Sequence, residues 1–217
     1  LLLEPNPYST EANDEQSKEM KEWAKYNANK YKALMAVNLL ERIDNFTYST
    51  CYLVSPSGVA GYHRKTHLRK HEIGLLEPGD SLEVFDCGNF RVGIIIGYDA
   101  YFPETVRCLA LKGADIILWP TCWHEKQEEE LIALERAIEN KVYILAANRV
   151  DSPAKGNSYI LQPTEFRNVV DRSISSCNGG YILGCLNVYT ARNKKIRGNT
   201  DIIRGRRPEL YKVLTRV

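Results

Sequence analysis

The chain has 217 residues, 44% hydrophobic and 26% charged, with a formal net charge of +2. This is ordinary globular composition, enough for one self-supporting core, and the near-neutral charge gives no footing for nucleic acid as a partner. No run of 18 apolar residues is present, which excludes a membrane-spanning helix of the usual kind, and no signal peptide is legible.

In chain order, Leu1–Leu3 reads as a strand end cut short, stopped by Pro5 and Pro7. Residues 11–31 carry Met20, Trp23, Ala24, Ala28 and Tyr31 near helical spacing. Ala33–Leu40 and Tyr48–Val54 have strand length, and Pro56-Ser57-Gly58 turns the chain into a third strand, Val59–Tyr62. The stretch 63–80 is polar and irregular. Leu82–Phe85 and Phe90–Ile96 read as strands, and Glu104–Lys112 as a helix stopped by Gly113 at C′. Asp115–Trp119 and Val142–Ala147 are nearly continuous apolar runs, the mark of strands buried on both faces. Between them, Glu125–Asn140 predicts a helix with Leu131, Leu134, Ala137 and Ile138 on one face. Ser158–Leu161 and Tyr181–Val188 are expected as later strands, followed by polar helix or coil from Ala191. Strand–helix–strand–helix–strand through 90–147 predicts a layered α/β domain, a single one over 1–217, with functional groups where strands end.

The six cysteines (51, 87, 108, 122, 177 and 185) form no C-x-x-C pair, and the histidines (63, 67, 71 and 124) are not spaced with them as metal ligands. Reduced thiols, partly in the core, and a cytoplasmic setting follow; disulfides and a metal do not. Cys87 and Cys108 read as structural. Arg204, Arg206 and Arg207 read as a surface or structural cluster.

Two short stretches carry chemistry. One is Tyr62-His63-Arg64-Lys65-Thr66-His67-Leu68, with Glu72 seven residues after the lysine. The other is Val92–Glu104, VGIIIGYDAYFPE, where an apolar strand ends on Gly97 and turns polar at Tyr98 and Asp99. With RGRRPELY (204–211) these blocks resemble the nitrilase superfamily, the carbon–nitrogen hydrolases. LEPGD (76–80), KGADIILWPT (112–121), ERAIENKVYILAANR (135–149) and GNSYILQP (156–163) support the likeness, which covers nearly the whole chain.

The resemblance implies a four-layer α-β-β-α sandwich, pairing into an αββα-αββα homodimer or a higher homo-oligomer. It also implies covalent hydrolysis of a small amide, carbamoyl compound or nitrile, with no cofactor. The superfamily uses a cysteine, a lysine and a glutamate, assisted by a second glutamate. Lys65 matches the lysine, Glu72 the second glutamate and Glu4 the general base, the last through a short match in which Glu4 precedes Pro5. Gly97 stands where the nucleophilic cysteine belongs. The Tyr98 N–H is the implied oxyanion donor, and Cys122 and Trp123, after the next buried strand, are implied in the pocket wall. Asp99 and Glu104 read as braces of the turn or caps of the following helix. RRPELY points towards linear amides or N-carbamoyl amines.

By the same comparison the chain is short: its first strand is missing, and Val150–Asn157 is brief where relatives carry an excursion. Three readings stay open. One is a hydrolase whose nucleophile has been replaced, by engineering or in nature; another is a natural non-catalytic ligand-binding or assembly protein; the third is an enzyme using Cys122.

Overall fold

The computed structural model describes residues 14–123, 126–149, 156, 158–163 and 182–215, with the backbone alone at 126–129. The expected strand end at Leu1–Leu3 lies outside these residues.

Strands β1 (Met35–Ile43), β2 (Phe46–Ser55) and β3 (Gly58–Arg64) form an antiparallel sheet in chain order. A second sheet has the order β4-β5-β6-β7-β8, built from Val84–Asp86, Arg91–Ile94, Ile116–Thr121, Tyr143–Asn148 and Tyr159–Leu161. Its three central strands β5, β6 and β7 are parallel, and both edge strands run antiparallel to them. Helices α1 (Asp14–Tyr31), α2 (Pro103–Leu111) and α3 (Lys126–Asn140) complete the framework. Pro103 opens α2 at its first turn, where its missing N–H costs nothing. Gly113, at φ 92°, ends it in a conformation that a side chain would resist.

Period-two alternation along the strands sorts the apolar side chains into three packed spaces. Val92, Ile94, Ile96, Ile116, Leu118 and Tyr143 meet Ala36, Cys51 and Leu53 of the other sheet. The opposite face of the second sheet, with Ile95, Ile117, Trp119 and Ile144, packs on Val106 and Leu109 of α2 and on Ala133 and Ala137 of α3. Ala24 and Ala28 of α1 pack on Val37 and Val54. Three interlayer cores make four layers, α-β-β-α, as the superfamily resemblance implies. The parallel strands are buried on both faces, which is why β6 has no exposed residue.

Several details depart from expectation. The buried stripe of α1 is set by small residues, Ala24 and Ala28, which allow close approach to the sheet, so Trp23 and Tyr31 are left exposed. On α3 the inner face is Ala133, Arg136, Ala137 and Asn140, and Leu131 points to solvent. Residues 182–187, expected within a strand, form none: they have no ladder partner among the described residues and are mostly exposed, and Asn187 instead caps the short helix α4 (Val188–Arg192). Cys108 is on the outer side of α2, exposed rather than structural. Among the described residues no helix is long and apolar enough to cross a membrane.

The C-terminal segment is strapped across the N-terminal ends of the parallel strands. Arg192 donates from Nε and Nη2 to the two oxygens of Asp115, at 3.0 and 2.9 Å, and Asp115 also accepts from the Arg91 N–H. Lys194 Nζ donates to the carbonyls of Asn140 and Lys141 at 3.1 and 2.7 Å, closing the C-terminus of α3. Burial pulls the Lys194 pKa down to about 8. The opposite, C-terminal ends of the strands are left free for loops.

Ile117 is fully buried between sheet and helices. Ile117→Ala should therefore lower unfolding stability by about 2–5 kcal/mol, read by urea denaturation, with no change of far-UV spectrum.

Candidate active site

The loops at the C-terminal ends of the strands gather the residues singled out in the sequence. Immediately after β5, the chain forms a 3-10 turn, Gly97–Tyr101, that leads into α2. Gly97 has φ 47°, in the left-handed region where a β-carbon is strained. Its carbonyl accepts a hydrogen bond from Trp119 Nε1 at 3.0 Å, so β6 fixes the turn from the sheet side. Arg136 of α3 is buried and donates from Nε to the Ala100 carbonyl at 3.0 Å, fixing it from the helix side. Gly97 and Tyr98 remain partly exposed. Tyr98 sits in the first turn of this helix, where N–H groups lack intrahelical acceptors.

Lys65 follows β3 and is buried, only 3% exposed. Its backbone is held on both sides: its N–H donates to the Ser49 carbonyl, and its own carbonyl accepts from the Gly79 N–H. Its ammonium makes a short ion pair with Oε1 of Glu72, itself buried. The other oxygen of Glu72 accepts the Arg69 N–H at 2.6 Å. Both charges are thus compensated in a dry setting, the condition under which buried ions are tolerated. Glu4, expected as Lys65's partner and as general base, lies outside the described residues; the acid seen beside Lys65 is Glu72.

Asp99 joins these two parts. It is fully buried. Oδ2 accepts the Ile96 N–H at 2.9 Å and lies 3.3 Å from His63 Nε2. Oδ1 accepts the Thr66 N–H at 3.1 Å, the Thr66 hydroxyl at 2.9 Å and the His67 N–H at 2.8 Å, and lies 3.1 Å from His67 Nδ1. Burial by itself would raise the Asp99 pKa. The hydrogen bonds from His63 and His67, the attraction of His63 and the Ile96 N–H outweigh it and hold the carboxyl well below the usual carboxylate range. Aromatic contacts finish the wall: His67 stacks on Phe102, with ring centres 3.9 Å apart, and Arg69 lies over the rings of Tyr98 and Tyr101.

Trp123, expected in the pocket wall, is fully buried. Its ring lies between Trp119 and Tyr159, and its backbone N–H donates to Asn148 Oδ1 at 2.8 Å. Cys122 is half-buried just past the end of β6. Cys51 is sealed between the sheets, and burial pushes its thiol pKa up, so it is no candidate nucleophile. Cys87 is shifted the same way, by burial and then by Asp86. No group of three or more His, Cys, Asp or Glu suited to a metal ion occurs among the described residues.

Sequence reasoning assigned Asp99 to a local brace and missed its reach to residues 66 and 67. The available signal was the pair His63 and His67 flanking Lys65, with an acid two residues past Gly97. It also missed Asn148, which links the loops after β6 and β7 by accepting from the Trp123 N–H and donating to the Gly156 carbonyl.

This arrangement is a polar cradle at the strand ends of an α/β sandwich, a fold and a family shared with known proteins. The family model for carbon–nitrogen hydrolases matches residues 2–166. The chain is 36% identical over 176 residues to a nitrilase of Pyrococcus abyssi, covering 79% of this chain and 66% of that protein. It is 28% identical to a citrullinase of Francisella tularensis, over 87% of this chain and 72% of the relative. Among solved structures, a carbon–nitrogen hydrolase from Helicobacter pylori superposes with a TM-score of 0.78 at 22% identity, over 100% of this chain and 86% of the other. An amidase from Nesterenkonia sp., carrying acrylamide at its active-site cysteine, gives 0.72 at 19%, over 92% and 76%. The chain belongs to the carbon–nitrogen hydrolase family, the nitrilase superfamily. It spans about two thirds of the length of the Pyrococcus nitrilase.

Two outcomes test the cradle. Lys65→Met leaves the Glu72 carboxylate buried and alone. It should cost about 3–5 kcal/mol in denaturant melts, and Lys65→Met combined with Glu72→Leu should recover much of that loss. Asp99 contributes stability that is complete above its unfolded pKa of about 3.9 and is lost as pH falls towards its depressed folded value. Asp99→Asn should therefore be strongly destabilised at pH 7, and the gap to the unaltered protein should narrow steadily below about pH 4 in thermal melts.

Proposed function

We propose that this chain is a carbon–nitrogen hydrolase of the Glu-Lys-Cys type in which Gly97 occupies the nucleophile's place. It keeps a cradle for a small amide, N-carbamoyl or nitrile group and has lost the covalent step. The observation that carries the reading is the buried Lys65–Glu72 pair, retained at the strand ends beside the turn that begins at Gly97. A buried ion pair is a weak source of stability, so its presence at the strand ends suits a chemical role better than a structural one.

In the intact reaction a cysteine thiolate at position 97 adds to the carbonyl or nitrile carbon. Glu4 takes the thiol proton and delivers it to the leaving nitrogen. From an amide or carbamoyl group the amine departs and leaves a thioester; from a nitrile the addition gives a thioimidate, which takes up one water and sheds ammonia to reach the same thioester. Water activated by the same glutamate then releases the acid and restores the thiol. Lys65 and the Tyr98 N–H bear the developing oxyanion, and Glu72 holds the Lys65 ammonium in place. With glycine at position 97 the sulfur is missing, and loss of a nucleophile from such a set costs on the order of 10⁶ in rate. Binding of the planar amide needs only the donors and acid that remain. Linear amides or N-carbamoyl amines are the favoured ligands, in keeping with relatives that include a citrullinase and an omega-amidase of Xenopus laevis. The same reading makes the chain a single domain that works as a homodimer or higher homo-oligomer in the cytoplasm, without a cofactor.

The test is Gly97→Cys, assayed for ammonia release from a panel of amides, carbamoyl compounds and nitriles. Activity should appear, together with a stability loss of about 1–2 kcal/mol because a β-carbon enters a left-handed position. A folded but inert variant would instead favour a non-catalytic binding or assembly protein. Activity in the unaltered chain that disappears in Cys122→Ser would move the nucleophile to Cys122.

A further inference from the structure

We infer that Asp99 is a positioning residue: its carboxylate sets the spacing between Lys65 and position 97. The inference rests on the function proposed above and adds a device to it. A local brace of the turn needs only one carboxylate oxygen. The Asp99 N–H donates to the Ile96 carbonyl at 3.0 Å, and Asp99 Oδ2 accepts the Ile96 N–H in return, which closes the turn on itself. The second oxygen is unnecessary for that purpose. It is directed to the loop after β3, at two consecutive backbone N–H groups, those of Thr66 and His67, and at the Thr66 hydroxyl.

The positions of these contacts matter. Ile96 is the residue immediately before Gly97, and Thr66 is the residue immediately after Lys65. The peptide group that follows Lys65 and the N–H of the residue that precedes Gly97 are therefore anchored on the two oxygens of one fully buried group. Trp119 and Arg136 already fix the turn from the sheet and from α3. Asp99 ties that fixed turn to the lysine loop, so slippage between the two is limited to the play of a few hydrogen bonds. Catalytic geometry is sensitive at this scale, since a displacement of about 1 Å can cost about a hundredfold in rate. His63 and His67 complete the carboxylate's shell, and Glu72 holds the lysine's other end.

The experiment uses the full chain carrying Gly97→Cys and measures alkylation of the introduced thiol by iodoacetamide at pH 7, resolved by peptide mass spectrometry so that the other cysteines do not interfere. A thiol beside an ammonium is more reactive because its thiolate is favoured. Adding Lys65→Met should slow alkylation about tenfold, the effect of one pKa unit on the thiolate fraction. Adding Asp99→Asn should slow it about as much, roughly tenfold, although the lysine is still present. Thr66→Val deletes only the hydroxyl donor and should give a smaller slowing of about threefold, which keeps the proposal testable if the Asp99 variant does not fold. Arg192→Gln, at the opposite end of the sheet, reports general destabilisation and should leave the rate unchanged.

If Lys65→Met slows alkylation while Asp99→Asn and Thr66→Val do not, the positioning role is overturned and the hydrolase reading stands. If Lys65→Met itself has no effect, the lysine is not beside position 97 and the hydrolase reading falls with it. If Arg192→Gln slows the thiol as much as Asp99→Asn, the effect is loss of stability and the positioning role is overturned.

Discussion

A single carboxylate, that of Asp99, joins parts of the chain more than thirty residues apart and sits where water is excluded. An ionised group there is tolerable only if it is surrounded by donors, and the donors it finds are backbone N–H groups that must themselves be satisfied. The requirement is mutual. The turn after β5 gives the Ile96 N–H to one oxygen of the acid, and the loop after β3 lies against that turn by giving the Thr66 and His67 N–H groups to the other. Lys65 and Glu72 depend on this in turn. An ion pair withdrawn from water is favourable only when its geometry is held, and the loop that carries it is held at Ser49, at Gly79 and at Asp99.

The four-layer architecture explains why the cradle forms at one end of the sheet. Parallel strands deliver all their C-terminal ends to the same edge, so the turn after β5, Cys122 after β6 and Asn148 at the end of β7 fall side by side. The N-terminal ends are covered by the segment around Arg192 and Lys194, which meets Asp115 and the end of α3. One end of the sheet is closed by the C-terminal segment, and the other carries the polar cradle. The apolar layers between them supply most of the driving force, and neither end has to provide it.

The sequence showed the layers well because continuous apolar runs such as Ile116–Trp119 and Tyr143–Ala147 leave little choice but a buried parallel strand. The stop at Gly113 was equally clear, since few residues accept its backbone angle. Lys65, Glu72 and Gly97 were found through the superfamily likeness, and the structure pairs the first two. Hydrophobic pattern failed where burial is polar. Arg136 and Asn140 look like surface residues in a helix, yet both face inward because backbone carbonyls need their donors, and Leu131 is displaced to the outside as a result. Residues 182–187 failed for a different reason: a strand-like composition forms a strand only where an edge is available to pair with. The span of Asp99 was illegible because no periodicity links positions 66 and 99.

The left-handed backbone at Gly97 gives substitution at that position a direction. Removing a side chain there relaxes the turn, whereas restoring one strains it again, whatever the new side chain does. Since Trp119, Arg136 and Asp99 hold the turn in the same shape in either case, the fold itself offers no path to a more comfortable angle. Folding energy therefore favours glycine at position 97 over any residue with a β-carbon, and a side chain there has to be offset by a gain made outside folding.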